Sequence, residues 1–201
     1  MSKLIKSYLF YMISAFGISL TIKASIGVSS FNAMNVAISD ATDIKVGTIT
    51  MFFNVAFLLY YMSLTEFKLP KKYMIQGISL YFFGFFINFF TYTLLSNLVI
   101  EGYLYQIATI ILGTLIGGVS VGMIVRYSTI TFPIESVCDV LSEKTRFTFT
   151  QLRYAVDVFS IIVSLSVSYA FNLPLYVREG TLISLLIFSY TMGKVKNACF
   201  D

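Results

Sequence analysis

The chain has 201 residues, of which 57% are apolar, 17% aromatic and 12% charged, with a formal net charge of +4 and a mean hydropathy of +0.82. A water-soluble domain carries about 25% charged residues, so an ordinary globular enzyme is excluded, as is a charge-rich disordered chain. The absence of histidine removes His-based triads, zinc-protease motifs and imidazole relays.

What remains is an all-α polytopic membrane helix bundle, one membrane domain over 1–201. A span needs about 20 mostly apolar residues to cross a hydrocarbon core of about 30 Å. Six stretches qualify: 4–22, 48–64, 73–95, 103–125, 152–171 and 181–193. Their apolar runs are continuous, whereas a membrane barrel shows alternating segments of about ten residues. The first is read as a span and not a cleaved leader, because no small-residue cleavage site closes it. No appended soluble domain is expected.

Lys and Arg set the orientation. With the N-terminus and C-terminus cytoplasmic, the inner side holds Lys3, Lys6, Lys68, Lys71, Lys72, Arg126, Lys144, Arg146, Arg153, Lys194 and Lys196, and the outer side Lys23, Lys45 and Arg178. This bias and contact with anionic lipid account for the net charge, so the bilayer is the expected partner and no nucleic acid is.

The gaps between spans are unequal. Long connectors follow the first and fourth spans, and the other links are short. This pattern predicts a three-span unit used twice, with halves of about 1–100 and 101–201. Gly17 aligns with Gly118, Ser19 with Ser120, Phe31 with Phe132 and, after a two-residue gap, Val55 with Val158. Asn54 then pairs with Asp157. Three spans per unit is odd, so the second copy is expected to be inverted, the recurrent plan of secondary transporters with a midplane site.

Each long connector begins with a cation, passes through small hydroxyl residues and becomes a short amphipathic helix. Ser29 or Ser30 suits the N-cap of the first, and Thr131 with Pro133 that of the second. Asn32, Asn35 and Ser39 share one polar face; Glu135, Asp139 and Ser142 share another. Too short to span, the connectors are expected either to re-enter the bilayer or to lie on its surface.

Gly17 to Met34, with its Lys23-Ala24, Gly27 and Ser29, followed by Gly47-Thr48, resembles the YczE/YyaS/YitT family of bacterial integral membrane proteins. That family shows a K-A-x-L-G-x-S-P-x-D-like stretch and a later G-T. Ser30 stands where Pro is usual and Asn32 where Asp is usual. Asn88 replaces an acidic residue common in the third span, and Glu179-Gly180-Thr181 resembles the opening of the last. The chain is more similar to the YczE branch, without the soluble C-terminal domain of YitT proteins. The resemblance implies a cytoplasmic-membrane protein of about six spans and no settled activity.

The candidate substrate contacts are Lys23, Ser29, Asn32, Asn35 and Arg126, with Glu135, Asp139 and Asp157 as coupling or gating acids. Each has a plain structural alternative: Lys23 snorkelling to headgroups, Asp157 paired with Arg153 one turn earlier, Glu135 and Asp139 facing water. Gly113 and Gly117 form a GxxxG that allows close helix contact, within the chain or across a homodimer. Cys138 reads as a small apolar filler; Cys199 and Cys138 cannot form a four-thiolate cluster, and no cofactor or metal is expected. The leading functional reading is a transporter of an unidentified small molecule. The alternative is a non-transporting accessory or regulatory membrane protein, and an enzyme is not expected.

Overall fold

The computed structural model describes residues 3–127 and 131–197. Positions 128–130 of the second connector and Cys199 lie outside them. Eight α-helices are present among the described residues, and no strand: α1 (Lys3–Ala24), α2 (Ser30–Thr42), α3 (Val46–Leu64), α4 (Pro70–Phe89), α5 (Tyr103–Tyr127), α6 (Pro133–Lys144), α7 (Phe149–Ala170) and α8 (Glu179–Asn197). A π-helical turn, Phe90–Leu94, extends α4.

Local chemistry sets several of these boundaries. Pro70 and Pro133 sit in the first turns of α4 and α6, where a missing N–H costs nothing. Thr148 and Gln151 form a reciprocal capping box at the start of α7, with bonds of 3.3 and 2.9 Å. Asn88 Oδ1 accepts from the Gly47 N–H at 2.8 Å, and its Nδ2 donates to Thr48 Oγ1 at 3.1 Å. The third span thus caps the Gly-Thr that opens the second.

Five helices are long and apolar enough to cross a membrane: α1, α3, α4 with its π turn, α5 and α7. The sequence reading counted six. α8 has 19 residues but includes Glu179, Lys194 and Lys196, and it is not among the five.

Helix directions follow from which residues meet. Tyr8 packs on Phe82 and Phe16 on Phe90, so α1 and α4 run the same way. Thr114 bonds Ser184 at 3.1 Å and Gly122 lies against Val195, so α5 and α8 also run the same way. Lys6 lies 5.8 Å over the Tyr127 ring while Gly17 meets Gly113, so α1 and α5 are antiparallel. The short α2 packs on α7 and α3, and the short α6 on α3 and α7.

The largest apolar cluster is centred on Tyr11, Phe83 and Phe132, whose ring centroids are 4.5 to 5.6 Å apart. Such aromatic pairs contribute about 0.5–1.5 kcal/mol each beyond area burial. Through Phe132, the residue that precedes α6, they fasten the second connector to α1 and α4. Gln76 of α4 adds polar ties, donating to the Thr131 carbonyl at 2.8 Å and to Ser136 Oγ at 3.1 Å.

The aromatic run of α4 divides its faces. Tyr81, Phe85 and Phe89 are exposed while Phe83 and Ile87 are buried. The GxxxG of α5 is used inside the chain: Gly113 lies against Gly17 of α1, and Gly117 against Phe188 of α8.

Candidate functional site

A cavity of about 140 Å³ lies where the two connectors begin. Ser29, Ser30 and Asn32 of the first and Phe132, Ile134 and Glu135 of the second both line it. The helices between them contribute mid-length residues: Ser14 and Thr21 from α1, Gly113 and Gly117 from α5, Ser184 and Ser189 from α8. α3 supplies Thr50 and Asn54, and α7 supplies Arg153 and Asp157.

The charged groups of the wall form one cluster. Arg153 Nη1 is 3.3 Å from Asp157 Oδ1, and Arg153 Nε is 3.9 Å from Glu135 Oε1. All three side chains are largely buried, at 27, 14 and 16% exposure. Two carboxylates therefore share one guanidinium. The second Glu135 oxygen, Oε2, is buried and has no hydrogen-bond partner among the described residues. A buried acceptor left in that state costs about 1–3 kcal/mol.

The start of α2 has different chemistry. The Ser29 hydroxyl accepts from Asn32 Nδ2 at 2.9 Å and makes no capping bond to the backbone of α2. The first turn of α2 carries no acidic residue, so its N–H groups and the positive end of its dipole meet no carboxylate of their own. Ser30 is fully buried, and its Oγ has no partner among the described residues. By contrast, Glu135 sits in the first turn of α6 and already faces that helix's positive end.

The expected site residues separate into two groups. Ser29, Asn32, Glu135 and Asp157 come together on this cavity. Asn35 is buried one layer behind it, donating through Nδ2 to Thr50 Oγ1 at 3.1 Å. Lys23 is elsewhere: its Nζ donates to the Ser96 carbonyl at 3.4 Å. It lines a second cavity of about 420 Å³ with Asp40, Tyr176 and Arg178. Asp139 is exposed, on the face of α6 away from Val137, Val140 and Leu141, which pack against α3 and α4. Arg126 is in the last turn of α5 and is not among the described residues that line the cavity.

The sequence reading treated Arg153 as a marker of the inner side and a structural partner of Asp157. The pairing is present, but Arg153 also reaches Glu135 of α6, the second connector helix, and this makes it the central cation of the site. The i to i+7 spacing of Ser14 and Thr21 is the signal that could have placed α1 on the wall.

The second cavity lies beneath a strap that joins α7 to α8. Tyr176 hydrogen-bonds Asp40, the Val28 N–H donates to the Tyr176 carbonyl at 3.4 Å, and the Gly180 N–H donates to the Ile26 carbonyl at 2.9 Å. Burial, then the bond to Asp40, raises the Tyr176 hydroxyl above the ordinary phenol range. Gly27 has φ +107°, and a Cβ there would lie 3.0 Å from the Arg178 nitrogen. Only glycine accepts that backbone and that approach without strain. The Gly27 and Gly180 of the family-like motifs are thus one contact: a Cβ on Gly180 would come within 2.8 Å of the Gly27 carbonyl.

A family described as "Family of unknown function (DUF6198)" matches residues 1–197. The chain belongs to that family. No curated protein matches it, and no solved structure does. What this DUF6198 chain offers a ligand is therefore read from its own cavity: a mainly apolar chamber that carries a few polar and charged groups and is lined from both halves of the sequence.

Proposed function

We propose that the chain is a small-solute transporter of the bacterial cytoplasmic membrane, built as a 3+3 inverted repeat with its site between the two connectors. The observation that carries the reading is the meeting of α2 and α6 at their first turns on one cavity, lined also by Asn54 and Asp157. Those two residues are equivalents in the repeat alignment.

The packing supports the same plan. Exchanging α1–α4 for α5–α8 turns the α1·α4 contact into α5·α8, α2·α7 into α6·α3, and α2·α3 into α6·α7. The antiparallel α1 and α5 pack on each other across the centre. The exception is α3·α4, whose counterpart α7·α8 is not a major contact. In this reading α8 is the sixth span, since it runs alongside α5 from Gly180 to Val195. The connectors re-enter the bilayer, with Ser29 and Phe132, the residues just before α2 and α6, on the internal cavity.

The chamber suits a small solute. An apolar cavity of about 150 Å³ holds one benzene, so about 140 Å³ fits a molecule of roughly six heavy atoms. Alternating access would move the two halves about this fixed point.

The test is sided labelling of single cysteines at Ser29 and Ser189, in a chain whose two native cysteines are replaced. A transporter exposes both positions to a membrane-impermeant thiol reagent from either face of the bilayer, in proportions that a bound solute changes. Labelling from one face only, unaffected by any solute, would instead indicate a non-transporting accessory protein.

A further inference from the structure

The cavity lining carries a donor set at the start of α2 and an acceptor set at Glu135 and Asp157, and we infer that its ligand is a small zwitterion of the amino-acid type, with its carboxylate at the start of α2 and its ammonium at Glu135 and Asp157. This rests on the reading of the cavity as a substrate site and names the class of that substrate.

At the start of α2 the groups on offer are donors. The helix has 13 residues, no acid in its first turn and no side-chain cap. Its free N–H groups and positive dipole end form an anion site. The Ser30 hydroxyl, fully buried and without a partner among the described residues, adds a donor at the same place. A carboxylate satisfies all of these groups together.

At the two acids the groups on offer are acceptors. Glu135 and Asp157 place two carboxyl groups around the single guanidinium of Arg153. No other Lys or Arg is among the described lining residues. Glu135 Oε2 is buried with no donor. An ammonium supplies the missing N–H, and its charge favours ionised carboxylates beside it. A purely anionic ligand would leave that oxygen orphaned. A purely cationic ligand would leave the start of α2 and Ser30 unsatisfied. Alanine has six heavy atoms, which the volume of about 140 Å³ accommodates.

The experiment uses the full chain in lipid nanodiscs, with binding followed by calorimetry and by the rise in unfolding temperature. The probes are alanine, ethylamine and propionate, the second and third being alanine without its carboxylate and without its amine. Alanine should bind at least tenfold more tightly than either analogue. Glu135→Gln should abolish most of the advantage over propionate, and Ser30→Ala should weaken alanine and propionate but not ethylamine. Equal binding of alanine and one analogue, or no binding by any of the three, overturns the assignment. Because the wild-type series decides this, it stands even where a variant fails to fold. Alanine binding without counterflow in proteoliposomes upholds the ligand class and overturns the transport reading. Flux of a singly charged solute without alanine binding does the reverse.

Discussion

Gly17 of α1 and Gly113 of α5 are packed so closely that a Cβ on either would lie 2.7 Å from the other's carbonyl oxygen. Both obstacles are backbone and cannot rotate away. Gly17→Ala should therefore push α1 and α5 apart and destabilise the fold by about 1–3 kcal/mol, the usual cost of overpacking. Gly193 is the control: nothing lies within 4 Å of its Cβ position, and Gly193→Ala should be neutral or stabilising by about 0.5–1 kcal/mol. Thermal unfolding in detergent, read by tyrosine absorbance or circular dichroism, checks both. Equal stability of the two variants would show that the α1–α5 contact does not bear on the fold.

Arg153 holds two carboxylates from different helices, Glu135 of α6 and Asp157 of α7. Arg153→Met removes the cation and leaves both acids in a largely buried wall. Breaking such a buried pair costs about 3–5 kcal/mol, whereas replacing the whole group with neutral side chains is often harmless. The triple variant Arg153→Met, Glu135→Gln, Asp157→Asn should thus recover most of the stability lost in the single variant, while losing ligand binding. Failure of the triple variant to recover would indicate that Arg153 matters through packing and not charge.

Asn88 closes the start of α3 with two hydrogen bonds. Asn88→Ala leaves the Gly47 N–H without its acceptor and should cost about 1–2 kcal/mol, the range for loss of a helix cap. Asn88→Asp keeps the acceptor and adds a negative charge at a helix N-terminus, which is favourable. It should retain most of the wild-type stability. A larger loss in Asn88→Asp than in Asn88→Ala would contradict the capping role.

Tyr176 and Asp40 tie the strap to α2. The hydroxyl is raised above its ordinary value of 10.0 by burial and by Asp40. In alkali the unfolded chain therefore loses this proton before the folded one does. Between those two values the folded state binds more protons, so stability falls as pH rises past about 10. The contribution is fully present at neutral pH. Tyr176→Phe should lower the unfolding temperature at pH 7 and flatten its decline between pH 9.5 and 11.5. An unchanged alkaline slope would show that the hydroxyl is not held in the folded state.

Five of the six expected spans and much of the punctuation were legible in the sequence, because a bilayer imposes a length and a polarity on anything that crosses it. The expected stretch at 103–125 is α5, and Pro133 opens α6 as its residue type requires. The shortness of the two connectors was legible for the same reason, and so was the pairing of Asp157 with Arg153 at helical spacing. α8 was harder, since its terminal charges dilute an otherwise apolar run.

Which polar residues share a cavity was decided by the tertiary structure alone. In a soluble helix the apolar stripe marks the buried face, but in a chain apolar on every side that signal is absent. α7 inverts the usual rule: Ser160, Ser164 and Ser168 are buried, while Val158, Phe159 and Ile162 are exposed. Lipid takes the large apolar side chains, and the interior takes small residues that let helices approach. Sequence thus identified Lys23 and Arg153 equally well as cations, while helix rotation and the packing of α6 on α7 sent one to the strap and the other between two carboxylates. Composition and chain length determine that helices span; the facing of each helix is a long-range packing outcome, and on it depends which charges meet.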